Sequence, residues 1–492
     1  MRLTEPSSAT MSNVLPDGRS NLKRALDSIQ RHQAWIAFVL AATYFLIYST
    51  LSVLRHESYH SHGFDLGLFD QIFWNTTQGR VFESTMSQAS PVPHSQLGDH
   101  FSPVLLLLMA FYFAFPHPET LVVIQTLALA LGAWPVYLLA KLKLPAGYAP
   151  LWVLAYFLFI PLAYINLDDF HEIALAVAPL GFALYFLESG KRGWFLLSLL
   201  LTFLVKEEMA LVGAGFGAYA LLGKRDWKLG LGVLVGSLVA FAALIQIVIP
   251  SFAGGRAYPY TGYRYTEVGG SPGGILTMLV TDPLRIVRSV IQPKKLSFLV
   301  AIFGSTLGLS ALAGWASLLL LPTLAYLLLS NYVLQYSFTS QYSAPMIPLI
   351  VGTAILALSR LRESARRPVM AAVVASSLAL SWAFGDMPFS RKFDSSHFAT
   401  QPRYALFVRE IAVRIAPDAR VSAENGFPSH LSERRYIYDY DFEGVQDAEW
   451  VVLDYEGTNH DLTVFKAQVA AVEAAGYDEI AAGYGLALLH KR

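Results

Sequence analysis

The 492-residue sequence has no cysteine. Disulfide scaffolds, thiolate metal sites and cysteine nucleophiles are therefore excluded, and cysteine usage gives no reading of the compartment. Charge is scarce as well. Asp, Glu, Lys and Arg make up 15% of the chain, against about 25% in an average soluble protein. The 36 basic and 36 acidic residues cancel, which excludes a nucleic-acid binder driven by bulk charge. Internal repeats, low-complexity tracts and heptad runs are missing too. What abounds is apolar: 54% hydrophobic residues and a mean hydropathy of +0.44. A disordered chain and most ordinary soluble enzymes are thereby excluded. The composition points to a membrane protein, provided the apolar residues form runs long enough to span.

A bilayer core about 30 Å thick needs roughly 20 apolar helical residues. Residues 34–54 fit, with 21 residues and no charge. They lie too deep in the chain for a signal peptide and read as a retained first span. Further uncharged stretches are 120–140, 148–167, 173–187, 229–250, 337–359 and 369–385. Residues 296–330 run 35 residues without charge, about 52 Å of helix. That is too long for one span and predicts a break near 304–314. Residues 194–223 are apolar except for Lys206-Glu207-Glu208, and read as one kinked helix or a hairpin with the charges at its tip. Residues 101–116 read as a short span or an interfacial helix. The expected fold is an all-α polytopic domain over 34–385 with about 11 transmembrane helices, preceded by a tail over 1–33.

The bias of Lys and Arg in short loops sets orientation. Basic residues mark the N-terminal tail (Arg19, Lys23, Arg24, Arg31) and four loops: Lys141/Lys143, Lys191/Arg192, Lys224/Arg225/Lys228 and Arg360/Arg362/Arg366/Arg367. All five fall on one side if 101–116 does not span and 194–223 is a hairpin. The N-terminus is then cytoplasmic, and the loops 55–119 and 251–295 are outside. The latter loop carries six basic residues, four of which (Arg285, Arg288, Lys294, Lys295) sit in what reads as a surface-lying helix. Charges return from 386 to 492. Alternating patterns there predict a small extracytoplasmic α/β domain with a solvated surface: helices over 404–415 and 462–475, and strands over 420–423, 450–453, 477–481 and 485–489.

Four polar clusters fall on the outer side under this topology. In the first, Asp65 and Asp70 stand in a Phe-rich helical stripe, expected to lie flat on the membrane with its aromatic side down. Five positions separate them by about 140° on a helix, so a shared site cannot be assumed. Helix capping by Asp65 and solvation of Asp70 are the plain alternatives. The same loop closes with Asp99 and His100, a capping pair or a polar pair at the membrane face. Asn75-Thr76-Thr77 in this loop matches a glycosylation sequon.

In the second cluster, Asp168, Asp169, His171 and Glu172 crowd one turn between spans. Helix-dipole stabilisation accounts for acids there, but three carboxylates and a histidine also suit a divalent cation such as Mg²⁺ or Mn²⁺, or proton transfer. The third is Lys206-Glu207-Glu208. Charges between apolar segments cost about 2.5–3.5 kcal/mol each unless paired or wetted. Lys206 could meet a phosphate or simply pair with Glu207. The fourth is the glycine-rich run bearing Arg256, Tyr258, Tyr260, Tyr263 and Arg264, joined by a rim at Tyr332, Tyr336, Gln341 and Tyr342. Tyr and Arg suit sugar stacking and phosphate binding, while an interfacial aromatic belt is the alternative.

The runs at 64–71 (Phe-Asp-Leu-Gly-Leu-Phe-Asp-Gln), 98–103, 168–172 and 205–208 resemble an uncharacterised bacterial family of polytopic membrane proteins related to the GT-C glycosyltransferases. The resemblance covers most of the chain. It implies transfer of a sugar from a polyprenyl-phosphate-linked donor to an acceptor at the outer face of the bacterial cytoplasmic membrane. It further implies Asp65 as the acceptor-side base or activator with Asp70 as understudy, a cation on Asp168, Asp169 and Glu172 in some relatives and none in others, and Lys206 near the donor phosphate. Asp65 is followed by Leu66, where the commoner superfamily pattern has a second acid. Two other readings use the same residues: a transporter or flippase of a lipid-linked or small substrate, and a non-catalytic membrane scaffold.

Overall fold

The computed structural model describes residues 18–86, 93–424, 426–458 and 460–492. Residues 1–17 of the expected tail lie outside the described residues. Helix α1 (Gly18–Glu57) carries the first candidate span, His32–Glu57. Its lipid-side face shows Trp35, Phe38 and Leu46, and its inner face buries Tyr44 and Tyr48. The first loop follows, with α2 (Leu68–Thr77), the short strand pair β1 (Glu83–Ser84) and β2 (His94–Ser95), and α3 (Leu105–Ala114). At 10 residues α3 is too short to cross a bilayer. Its exposed Leu106, Leu107 and Phe111 fit an interfacial helix.

Next come α4 (Pro118–Leu131) and α5 (Ala133–Lys143), α6 (Tyr148–Phe157) and α7 (Ile160–Leu167), α8 (Val177–Glu188), α9 (Arg192–Phe203), α10 (Glu208–Ala218) and α11 (Trp227–Ala243). Five helices among the described residues are long and apolar enough to cross: His32–Glu57, Pro118–Lys143, Trp227–Phe252, Gln341–Arg360 and Glu363–Phe384. The α6–α7 pair, bent by 48°, makes a sixth. The difference from the expected eleven has a physical basis, because several apolar runs are broken into short helices. The 194–223 stretch is a hairpin, α9 and α10, with Lys206 at the break. The 296–330 run divides into helices Pro293–Gly304 and Leu321–Leu329, joined by 3₁₀ turns. Arg285 and Arg288 lie on the short helix Pro283–Val290, as expected of a surface helix. Lys295 does not. It is buried and donates to the Ser289 and Leu328 carbonyls at 2.7 and 2.6 Å.

The C-terminal segment forms a five-stranded sheet, in the order β4-β3-β5-β7-β6, from β3 (Val421–Ala423), β4 (Ile437–Asp439), β5 (Trp450–Asp454), β6 (Tyr477–Gly483) and β7 (Leu486–Lys491). Strands β4, β3 and β5 run parallel, and β7 and β6 are antiparallel to their neighbours. Alternate residues of β5 and β7 enter different cores. Val451, Leu453, Ala487 and Leu489 meet the helix Leu462–Ala474, whereas Val452, Leu486 and Leu488 join the main core of the helical part. The sheet is thus covered on both faces rather than solvated on one.

The helix Pro402–Glu410 reaches β5 through Arg403 and Tyr404, which donate to Asp454, and the first loop pairs with the edge strand β4. The Gln71 amide donates to the Arg435 carbonyl at 2.9 Å, and the Ile437 amide donates to Thr85 Oγ1 at 3.1 Å. Helix α2 packs within the protein, with Leu68, Phe69, Ile72 and Phe73 buried, instead of lying flat on a membrane with its aromatic side down. The sequon residue Asn75 is buried, donating to the Glu83 carbonyl and accepting from Arg80. The seam is tight at Gly63, where a Cβ would stand 2.6 Å from both Pro428 Cβ and Asp439 Oδ2. Gly63→Ala is expected to lower stability by about 1–3 kcal/mol through overpacking. A thermal melt unchanged from wild type would show that the seam can yield.

Candidate functional site

A cavity of about 340 Å³ opens where six parts of the chain meet. The first loop contributes His62, Asp65, Asp99 and His100, and the α7–α8 turn contributes Asp168, His171 and Glu172. Lys206 comes from the α9–α10 break, Tyr260 and Arg264 from the glycine-rich segment, and Tyr332, Gln341 and Tyr342 from the rim before the span Gln341–Arg360. Phe442, just beyond β4, closes the cavity from the C-terminal side.

The α7–α8 turn is shaped by Asp169, whose φ of +58° is left-handed and tolerable for a short polar side chain. Gln125 of α4 clamps the turn, its amide donating to the Asp169 carbonyl and its oxygen accepting from the His171 amide at 2.7 Å. The Asp169 carboxylate accepts from Arg55 at the end of α1 and from the His62 amide and ring at 2.8 and 3.1 Å. Burial would raise its pKa, but Arg55 and His62 hold it well below the usual carboxylate range. His171 donates to Asp65 at 3.0 Å. Burial opposes its charge, yet the Asp65 carboxylate outweighs burial and lifts its pKa to about 9. Asp168 makes no side-chain hydrogen bond among the described residues, and burial pushes it up to about 7.

Glu172 pairs with Lys206 at 2.7 Å, both side chains nearly sealed from solvent. Glu207 faces away from the cavity lining. It accepts from His100 at 2.7 Å, the Phe101 amide at 3.0 Å and Tyr258 at 2.6 Å, and so fixes His100. The His100 ring stacks on Tyr260 at 4.4 Å. Asp99 is contacted by His94 at 3.3 Å. The Arg264 guanidinium is held by a cage of rings, with Tyr260 at 4.3 Å, Tyr332 at 5.1 Å, and Tyr263 and Tyr342 at 5.5 Å. No carboxylate among the described residues is paired with it. Such a cation is desolvated by aromatic faces yet keeps N–H groups for an anion.

The structure thus brings Asp65, Asp99, His100, Asp168, His171, Glu172, Lys206, Tyr260, Arg264, Gln341 and Tyr342 to one cavity. Other candidates stand elsewhere. Glu208 is buried in the first turn of α10, Tyr258 serves Glu207, Tyr263 flanks Arg264, and Arg256 is exposed and donates to the Ala253 carbonyl. As metal ligands, Asp168, Asp169, His171 and Glu172 do not form one set, because Arg55, Asp65 and Lys206 divide three of them. The group whose donor atoms all lie within 4.8 Å of one another is His62, Asp65 and Asp169. His62, Arg55 and Phe442 carried no signal in the sequence. The early histidine pair His60/His62 is the nearest thing to one.

Asp70 is not in the cavity. It is buried behind α2, accepting from Tyr112 and Ser432 at 2.6 Å each. Burial lifts it to about 7 despite both hydrogen bonds. Its folded value thus exceeds the unfolded one, near 4, so stability should fall as pH rises from about 4 to about 7. Asp70→Asn removes that fall and should gain about 2–4 kcal/mol at pH 8 relative to wild type. Thermal melts of both proteins across pH 4–8 check this. Parallel curves would mean that Asp70 does not titrate as its burial requires.

The chain superposes on ArnT from Cupriavidus metallidurans in the apo state with a TM-score of 0.57 and 14% identity, covering 93% of this chain and 98% of that one. Against the same protein bound to undecaprenyl phosphate the TM-score is 0.53, again at 14% identity, covering 92% and 97%. These neighbours are GT-C glycosyltransferases, and the chain shares their fold. No curated protein matches the sequence. Residues 55–488 match the family described as "Predicted membrane protein (DUF2079)", and the chain belongs to that family.

Proposed function

We propose that the protein is a membrane glycosyltransferase that takes sugar from a polyprenyl-phosphate-linked donor at the membrane face where the acidic cavity opens. The observation that carries this reading is the meeting of Asp65, Lys206 and Arg264 on one cavity. It combines a carboxylate for a hydroxyl acceptor with two cations for a phosphate. Undecaprenyl phosphate bound to the ArnT neighbour supports the choice of a lipid-linked donor.

In this mechanism Arg264 and Lys206 hold the donor phosphate, and Asp65, oriented by His171, accepts the proton of the acceptor hydroxyl. The acceptor oxygen forms a bond to the sugar's anomeric carbon as the bond from that carbon to the phosphate oxygen breaks. The electron pair leaves with polyprenyl phosphate, whose negative charge the two cations stabilise. If a divalent cation is used, His62, Asp65 and Asp169 would hold it in place of the contacts that Arg55 and His171 make to the two carboxylates. One imidazole and two carboxylates suit Mn²⁺ or Zn²⁺ better than Mg²⁺, and the ion would supply further stabilisation of the leaving phosphate. We place the chain in the bacterial cytoplasmic membrane, as a multi-pass protein with the N-terminus cytoplasmic and residues 386–492 outside as an α/β domain.

The test is reconstitution in liposomes containing a radiolabelled polyprenyl-phosphate sugar, with membrane extract as the acceptor source. Conversion of the donor to polyprenyl phosphate and a glycosylated product is expected. Intact donor appearing in the opposite leaflet would replace this reading with transport, and neither change would replace it with a scaffold.

A further inference from the structure

The α9–α10 hairpin has a second end. Lys206 and the cavity lie at one; the other, reached after 12 residues of α9, or about 18 Å of helix, is the basic loop end. There a cleft of about 970 Å³ is lined by Arg192, Lys224, Arg225 and Lys228 against only Glu188 and Asp226. Both acids are already engaged. Glu188 holds Lys143 and Lys224 at 2.5 and 2.7 Å, and Asp226 holds Arg192 at 2.6 Å. Arg225 and Lys228 are exposed and, among the described residues, have no carboxylate partner. The cleft therefore has unspent positive charge.

The cleft does not stop at the headgroup level. At Leu196, Lys228 and Leu229 it shares its lining with an apolar groove of about 330 Å³ between α9 and α11. The groove runs from Lys228 to Ser237, about 14 Å along α11. It stays open because α11 presents Gly232 and Gly236, where an added Cβ would meet nothing within 4 Å. At its far end Ser237 is buried with its hydroxyl lacking a hydrogen-bond partner. The flanking faces are lipid-like, with Leu197, Leu200, Leu231 and Val235 exposed, and Trp194 and Trp227 stand exposed beside the cleft at the level where indole rings mark the membrane interface.

From these features we infer that the cleft and groove together form a binding site for an anionic glycerophospholipid of the leaflet opposite the candidate active site. The phosphate diester sits between Arg225 and Lys228, and one acyl chain lies in the α9–α11 groove. Basic pockets between transmembrane helices recognise lipid phosphates in this way. A soluble anion would leave the apolar groove unused, and a neutral lipid would leave the two cations unanswered.

The experiment uses the full-length protein in nanodiscs of phosphatidylcholine doped with phosphatidylglycerol, with retained lipid counted by native mass spectrometry. Wild type should retain phosphatidylglycerol over phosphatidylcholine by about tenfold or more. The R225A/K228A double variant should lose at least about fivefold of that preference, with its melting temperature in pure phosphatidylcholine unchanged. G236L, which fills the groove and leaves every charge in place, should lower phosphatidylglycerol retention as well, and it decides the matter alone if the charge variant folds poorly. Equal retention of the two lipids, a full preference in both variants, or displacement of phosphatidylglycerol by inorganic phosphate would each overturn the assignment.

Discussion

Lys206→Met is expected to abolish transfer and to cost about 3–5 kcal/mol of stability. The second effect follows from the partner left behind. Glu172 is buried and stands 2.7 Å from Lys206. Removing one member of a buried pair strands the other charge in a medium that solvates it poorly. Adding Glu172→Gln removes the stranded charge, so K206M/E172Q should recover most of the lost stability. Transfer should not return, because the cation that the proposed mechanism sets against the leaving phosphate is still missing. The pair of variants therefore separates structure from chemistry. A double variant that both folds and turns over would take Lys206 out of the mechanism and leave it a purely structural ion.

Asp65→Asn should lower the transfer rate by about 10²- to 10⁴-fold, the usual worth of a positioned general base. The fold should be kept. Asparagine is nearly isosteric, and its carbonyl oxygen can still accept the 3.0 Å hydrogen bond from His171. It cannot keep the buried His171 charged, because the Asp65 carboxylate is what lifts that ring's pKa to about 9 against burial, so stability should drop by about 1–3 kcal/mol at pH 7. Donor retention, measured on the same preparation, should equal wild type, since the proposed mechanism holds the phosphate on Lys206 and Arg264. An Asp65→Asn protein with full turnover would shift the base to another acid of the cavity, and Asp168 is the one without a hydrogen bond.

The parts of this site that the sequence exposes are those with a local anomaly. Four ionisable groups in five residues at 168–172, and three charges between apolar segments at 206–208, violate the economy of a membrane chain, so they can be singled out without coordinates. Their division of labour cannot. Asp65 and Asp70 look equivalent in the stripe at 64–73, but one lines the cavity and the other is buried against Ser432, 362 positions away. Asp169 looks as free as Asp168 until Arg55, 114 positions earlier, is seen to neutralise it. Such pairings have no period and no spacing. The same limit applies to the fold. Strands β5 and β7 announce themselves by apolar runs and β3 and β6 by weaker patterns, whereas the three residues of β4 follow Arg434-Arg435-Tyr436 and owe their pairing to the neighbouring strand. The helix count suffers from a different problem: the breaks at 206–208 and within 296–330 are legible, but hydropathy does not show that the pieces they leave are too short to cross alone.

The seam between the first loop and the C-terminal sheet also sets a schedule. Asp70, Gln71 and Thr85 emerge from the ribosome 352 to 364 residues before their buried partners at 432–437. Tyr112 reaches Asp70 early, but until the later partners are made the loop's hydrogen bonding is incomplete and the cavity lacks the wall that Phe442 supplies. The partners of the loop and the wall of the cavity therefore arrive together, within one short stretch of chain.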